Sequence, residues 1–537
     1  MSGRRHTAEN THQATPCRTD GAASVAPARA GQRSSWWTTI SPARGVGFIV
    51  VSLVLLALVG LRRWNDLDAQ SFLQTSMRSN ATGQRRSHDR NSTAPLVPIH
   101  FSCSNETSPQ ALTCPGPPSP PPRTSPRPSG DSAPLCPEAP DYFRFIHDDL
   151  RPWRDAGITR EAVERGLPHA YFRLVVLAGR AYVKTYRPAD MTRDVFTQWG
   201  VLQLLRRYAG RVPDLDVMFS CDDLGQVRAT DYRVPSDAPP VFRYCKETRS
   251  ALDIVFPDWS FWGWPEYNIR PWPQMLEEVT QENERVRWPE RQPYAYWKGK
   301  VGKPHMGHMY RIRHQLMRCN ISNGHEWNAR LFRQVCFEKR SKCHRIFLFT
   351  KADWAWSYAI RNGFKDSSIP KQCLYRYKIY IEGNSWSPSE KYIFACNSPV
   401  LFVETPFQDI LSRALVADKH YLHINRDDMC RSIKTAVDRG NQHPEQAQLI
   451  GEQGSKFVRE EMSMDPLYDY MLHLLTEYAK LLRYKPTVPN DAVEICSESM
   501  ACAASGRERD YMIESMERYV TGFDPCTLPP RHPGMNN

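Results

Sequence analysis

Two carboxylates close a strand-like run. Asp214 to Asp223 reads DLDVMFSCDD, in which Leu215, Val217 and Phe219 alternate with Asp216, Met218 and Ser220 before Cys221-Asp222-Asp223. A carboxylate at the carboxyl end of such a strand faces a cleft, and one of this pair can take the proton of an alcohol nucleophile. The same residues at a strand end also serve as plain loop caps. Asp214-Leu215-Asp216 offers a second chemistry, an Asp-x-Asp spacing able to hold a divalent cation, although at the start of a strand both side chains face one way into solvent.

Basic and amide groups supply the complementary half. Tyr294 to Cys319 reads as a strand, a glycine-containing loop with Lys298, Lys300 and Lys303, and a helix with Arg311 and Arg313. That combination can cradle a diphosphate or form only a solvated basic hairpin. From Tyr375 to Ile381 aromatic and β-branched residues predict a strand that stops at Gly383-Asn384. Ser387-Pro388-Ser389-Glu390 then predicts a helix start, with Ser387 as N-cap, Pro388 first in the helix and Glu390 closing a capping box. The helix runs to about Cys396, and Val400 to Val403 make a buried strand. A strand, loop, helix and strand present a ligand site at the carboxyl edge of an open α/β sheet, where helix amides suit a phosphate. An ordinary βαβ unit holding nothing has the same pattern. Trp259, Phe261, Trp262, Trp264, Tyr267 and Trp272 crowd one loop, either as core cover or as stacking faces for a sugar ring or an acceptor groove.

These groups need a scaffold, and 537 residues suffice for two domains with tails. Residues 1–44 read as a disordered cytoplasmic tail. Residues 45–63, containing the uncharged run GVGFIVVSLVLLALVGL, read as a signal anchor, too far from the start for a removable signal peptide. Residues 64–135 read as a proline-rich disordered stem, 465–485 as a docked helix and 486–537 as a polar tail held by disulfides. Of the 15 cysteines only Cys17 precedes the anchor, and the sequons at Asn80, Asn91, Asn105 and Asn320 follow it, which together favour a lumenal carboxyl side. The carboxyl end carries no KDEL-type signal, so residence in the secretory pathway falls to the anchor, Golgi before endoplasmic reticulum. The net charge of +12 is shared with the amino-terminal tail, and no nucleic-acid module is recognisable, so an anionic small substrate is the expected partner rather than nucleic acid.

From about Cys136 to Pro489 the chain resembles the Rumi-like protein O-glucosyltransferases, glycosyltransferase family 90, and within it the plant branch. The motifs are FSCDD, DIVFPDWSFWGWPE, AYWKG, CNISNGHEWNARLF, CLYRYKIYIEGNSWSPSEKYIFAC and HPEQAQLIGEQGSKFVREEM, in one order. The resemblance implies an α/β, GT-B-like fold of two Rossmann-like domains facing a cleft, an acceptor domain over 136–287 and a donor domain over 288–464. It implies an inverting, metal-independent enzyme moving glucose or xylose from a UDP-sugar to a hydroxyl of a lumenal protein or polysaccharide. Asp223 would be the base. Lys298, Lys300, Arg313, Asn384, Ser385, Trp386, Ser387, Pro388 and Ser389 would meet the donor, and Trp262, Trp264 and Glu266 the acceptor. Cys373 would pair with Cys396. Where animal members carry serine this chain has Lys300, and where they carry arginine it has Ser389. Val335 to Ala352 interrupts a run continuous in the family, as a retained intron would, and in that case Cys336 and Cys343 are not disulfide partners. Two other functions compete: a metal-dependent GT-A-type transferase using Asp214 and Asp216, and a silent lumenal protein that binds glycans or nucleotide sugars.

Overall fold

A computed structural model describes residues 96–103, 114–120 and 140–531, without 225, 303–306, 321–324, 334–363 and 365–367. The expected anchor, the sequons at Asn80, Asn91 and Asn105, Lys303 and the Val335 to Ala352 run lie outside those residues. Among the described residues no helix is long and apolar enough to cross a membrane.

The amino-terminal sheet grows from apolar runs broken by turns. β1 (Phe172–Leu177) and β2 (Arg180–Thr185) form a hairpin about Gly179, where φ is +76°. β3 (Leu215–Phe219) pairs antiparallel with β1, while β4 (Val241–Arg243) and β5 (Ile254–Val255) extend the sheet in parallel. This sheet is therefore mixed, with antiparallel pairs beside parallel ones.

The second sheet is all parallel. Its strands are β6 (Gln292–Gly299), β7 (Ala329–Arg333), β8 (Tyr375–Tyr380), β9 (Val400–Val403) and β10 (Tyr421–Ile424), in the order β10-β9-β8-β6-β7. Parallel strands are covered on both faces, and period-two alternation divides them here between two cores. Ile379, Leu401 and Val403 join Ile433 and Val437 on one side. Tyr380, Val400 and Phe402 face the other way, into the core that also holds β1, β3 and β4. The sheets thus share a core across the expected boundary at 287/288. A short antiparallel pair, Cys245–Glu247 with Phe407–Asp409, crosses the same seam.

Helices α1 (Arg193–Arg207), α2 (Trp272–Arg285), α3 (His308–Met317), α4 (Glu390–Ala395), α5 (Met429–Gln442), α6 (Pro444–Glu460) and α7 (Met464–Leu481) cover the sheets. The expected docked helix is α7. Its Tyr470 and Tyr478 hydroxyls donate to the Val255 and Asp216 carbonyls at 3.3 and 3.0 Å, so the carboxyl-terminal region packs back on the amino-terminal sheet.

The stem and tail need correction. Val97–Pro98 pairs with Tyr519–Val520, and disulfides join Cys103 to Cys502 and Cys114 to Cys496. β11 (Val493–Ile495) adds an edge strand beside β2, and Tyr511 and Met512 are buried. Neither segment is a loose appendage at these positions, because strand pairing and two disulfides tie them together.

Candidate active site

Asp223 stands four residues beyond β3, in a turn gripped from below. Buried Arg243 donates to the carbonyls of Asp222 and Leu224, at 2.6 and 3.0 Å, and pairs with Asp253 at 2.9 Å. The turn is fixed by its backbone, which leaves the Asp223 side chain to the cleft. Its Oδ1 accepts from Arg193 Nη1 at 2.7 Å, and its Oδ2 accepts from Asn384 Nδ2 at 3.2 Å. Asp222 instead accepts from the Leu224 amide at 3.4 Å and behaves as a loop cap.

Asn384 opens the loop that follows β8. The Gly383 amide donates to the Trp386 carbonyl at 3.2 Å, and a Cβ at Gly383 would lie 2.9 Å from that oxygen, so the turn requires glycine. Ser385, Trp386 and Ser387 are buried and hold the loop from inside, with the Trp386 ring against Tyr244 and Trp259. Asn384, Pro388 and Ser389 are the loop residues with outward exposure. A disulfide links Cys373, just before β8, to Cys396, just after α4, and so brackets the loop as the family resemblance implied.

The expected capped helix tip is not formed. α4 begins at Glu390, two residues later than Pro388, and no side chain caps it. The Ser387 amide donates to the Tyr380 hydroxyl at 3.2 Å, and the Ser387 and Ser389 hydroxyls bond each other at 2.9 Å. Glu390 does not reach back to close a capping box; its carboxyl is buried, and burial together with Asp409 pushes its pKa well up. Six residues carry little aligned dipole, so the tip offers weak attraction to an anion.

Arg313 also takes a different part. It is buried and donates to the carbonyls of Glu382, Lys300 and Ile381, at 2.7, 2.8 and 3.3 Å. Burial lowers its pKa to about 10. It clasps the carboxyl ends of β6 and β8 and shapes the rim without lying open on it. Lys298 and Lys300 are partly exposed at the end of β6.

A cluster that sequence reasoning missed lies beside them. Buried Glu382 accepts from Arg426 at 2.9 Å, from Thr405 and from His308. These residues follow β8, β9 and β10 or open α3, so the carboxyl edge of the parallel sheet brings them together. Glu382 beside Gly383 at a strand end was a readable signal. Arg193 gave none, because its partner is distant in sequence.

The acceptor candidates separate. Trp262 is fully buried, donates to the Tyr468 hydroxyl at 2.9 Å and packs on Gly200, where a Cβ would come within 2.6 Å of the ring. It is core cover and cannot be a stacking face. Trp264 is partly exposed, edge-on to Trp259 and Tyr267. Glu266 accepts from the amide and hydroxyl of Thr192, at 2.9 and 3.1 Å, and so holds the start of α1.

Asp214 and Asp216 are committed elsewhere. Asp216 is fully buried, accepts a two-pronged contact from Arg173 at 2.7 and 2.6 Å and binds the Tyr484 hydroxyl at 2.8 Å. Asp214 accepts from the Ala178 amide at 2.7 Å. The Asp-x-Asp is a fold element remote from Asp223, which corrects its reading as a metal pair. Among the described residues no three His, Cys, Asp or Glu side chains converge as metal ligands. Asn320 is paired through its amide with the Leu331 backbone, at 3.2 and 3.5 Å.

The mixed α/β scaffold sets one carboxylate at a strand end against a loop at the edge of a parallel sheet. Residues 133–536 match the model of the glycosyl transferase family 90, and the chain belongs to that family: it is a glycosyltransferase. Protein O-glucosyltransferase 1 of Bos taurus is 25% identical over 360 residues, covering 64% of this chain and 81% of that protein. O-glucosyltransferase rumi of Drosophila melanogaster is 23% identical over 353 residues, covering 64% and 78%. The crystal structure of Anabaena Alr3699/HepE in complex with UDP aligns with a TM-score of 0.26 at 8% identity, over 45% of this chain and 64% of that one, too slight a likeness to argue from.

Proposed function

We propose that this enzyme moves glucose or xylose, with inversion, from a UDP-sugar to a hydroxyl of a lumenal protein or polysaccharide. The observation that carries the reading is the 3.2 Å contact between Asp223 and Asn384, which joins the carboxylate to the loop expected to hold the donor. Asp223 takes the proton as the acceptor oxygen attacks the anomeric carbon, and the bond from that carbon to the diphosphate breaks on the opposite side. Charge then develops on the leaving UDP, where Lys298 and Lys300 supply positive charge. The names of the relatives favour glucose and a protein acceptor. Lys300 and Ser389, which depart from the animal pattern, keep xylose and a polysaccharide open. No metal enters this mechanism.

The two α/β sheets, whose strand-end turns meet where Asn384 bonds Asp223, support a GT-B-like reading. The apolar run within 45–63 and the disulfides support a type II protein of the secretory pathway, in the Golgi before the endoplasmic reticulum.

The test is the purified full chain in detergent, assayed with a panel of UDP-sugars in the presence of EDTA, beside Asp223→Asn. Turnover by the wild type, lost about 10²- to 10⁴-fold in the variant with UDP binding retained, is the expected result. Turnover unchanged in D223N ends the assignment of the base, and UDP binding without turnover in the wild type leaves only a binding protein.

A further inference from the structure

Arg193 is anchored by its backbone and by the Trp259 ring, and its Nη1 meets Asp223. It opens α1, and its Nη1 also donates to the Cys221 carbonyl at 3.2 Å. Its guanidinium lies 4.6 Å from the centroid of the Trp259 ring, and its Nε is buried with no hydrogen-bond partner. The backbone beneath is tied as well. Thr192 is anchored by Glu266 through both amide and hydroxyl, and the Arg193 carbonyl accepts from Thr197 Oγ1 at 2.7 Å and from the Tyr244 hydroxyl at 3.2 Å. An arginine so constrained is a fixed point in the cleft wall. The Asp223 side chain, at the tip of a turn, takes its orientation from the groups that bond its two oxygens, Arg193 and Asn384.

We propose that Arg193 is the positioning residue for Asp223: it binds Oδ1 and thereby holds Oδ2 toward Asn384, on the side where the incoming hydroxyl gives up its proton. This rests on the reading of Asp223 as base. The charge-assisted bond is strong and directional, and a planar guanidinium stacked on an indole gives up little freedom to make it. Without it the carboxylate samples rotamers that aim Oδ2 away from the acceptor, and a misplacement of about 1 Å can cost about 10² in rate. Glu266, expected at the acceptor, belongs to this support, since it secures the residue before Arg193. The arrangement also explains why Asn384, from the opposite sheet, finds Oδ2 and not Oδ1.

The experiment compares the full-length wild type with Arg193→Met, Arg193→Lys and Asp223→Asn, and with the double variant of R193M and D223N. Expected is a fall in kcat of about 10- to 100-fold for R193M, with the UDP dissociation constant by calorimetry within about twofold of wild type. R193K recovers part of the loss, and adding R193M to D223N causes no further loss, because the arginine acts through the carboxylate. Should R193M fail to fold, R193K carries the test, with kcat reduced and KM for the UDP-sugar unchanged. The proposal is overturned by a folded R193M with wild-type kcat, by UDP affinity falling in step with kcat, or by a double variant whose losses multiply. A D223N enzyme of normal turnover refutes the base itself, and the positioning role with it.

Discussion

Asn384 reaches Asp223 across the seam between the two sheets, with its amide nitrogen 3.2 Å from Oδ2. The contact connects a turn after β3 to a turn after β8, so the geometry of the Asp223 carboxylate depends on the state of the loop opposite. The two sheets are not free to part at this point. Lys391, one residue into α4, pairs with Asp258 at 3.2 Å and donates to Ser260 at 2.7 Å, and the Tyr392 hydroxyl reaches the Ser260 carbonyl at 3.3 Å.

Asn384→Asp puts a carboxylate where an amide now donates, against the oxygen of another carboxylate. Like charges at this range repel, so N384D should lose more activity than N384A, with kcat/KM down by about 10² against about tenfold. Steady-state kinetics with one UDP-sugar decides it. Equal losses for both variants mean that the amide-to-carboxylate contact plays no part in turnover.

Trp262→Phe separates core cover from acceptor binding. The variant removes the hydrogen bond to Tyr468 and part of a ring packed on Gly200, for a loss of about 1–3 kcal/mol. Thermal unfolding should begin several degrees earlier while KM for the acceptor stays put. A raised acceptor KM at unchanged stability would restore Trp262 to the acceptor site.

Glu390 makes stability depend on pH in the direction opposite to a salt-bridged acid. Burial, then Asp409, raise its pKa, so the folded protein keeps a proton that the unfolded chain releases above about pH 4.3. Its contribution is present in full below that value and is lost progressively as pH rises toward the folded pKa. Glu390→Gln cannot release a proton, so the stability of E390Q relative to wild type should climb with pH from about 5 upward. Denaturant midpoints measured at three pH values suffice. A constant difference between the two proteins means that Glu390 is already ionised in the folded state.

Local sequence carried a good deal of this molecule. The strand at β3, the helix α7, and the strand, loop, helix and strand around Gly383 depend on hydrophobic period and on Gly and Pro, all properties of neighbouring residues. Asp223 and Asn384 were legible for the same reason, since each ends a strand. The errors came where distant partners compete for a group. Ser387 was an N-cap by spacing until the Tyr380 hydroxyl claimed its amide, and Arg313 was a surface cation until three carbonyls enclosed it.

The amino acids in order determined which segments fold and which side chains stand at strand ends, because those outcomes follow from forces acting within a few residues. Tertiary structure alone decided that Arg193 and Asn384 grip the two oxygens of Asp223, that Asp216 is spent on Arg173, and that Cys103 and Cys114 bind the far end of the chain. Each of those pairings joins residues tens to hundreds of positions apart, and a hydrogen bond or disulfide is set by ångström-scale distance, which no local pattern encodes.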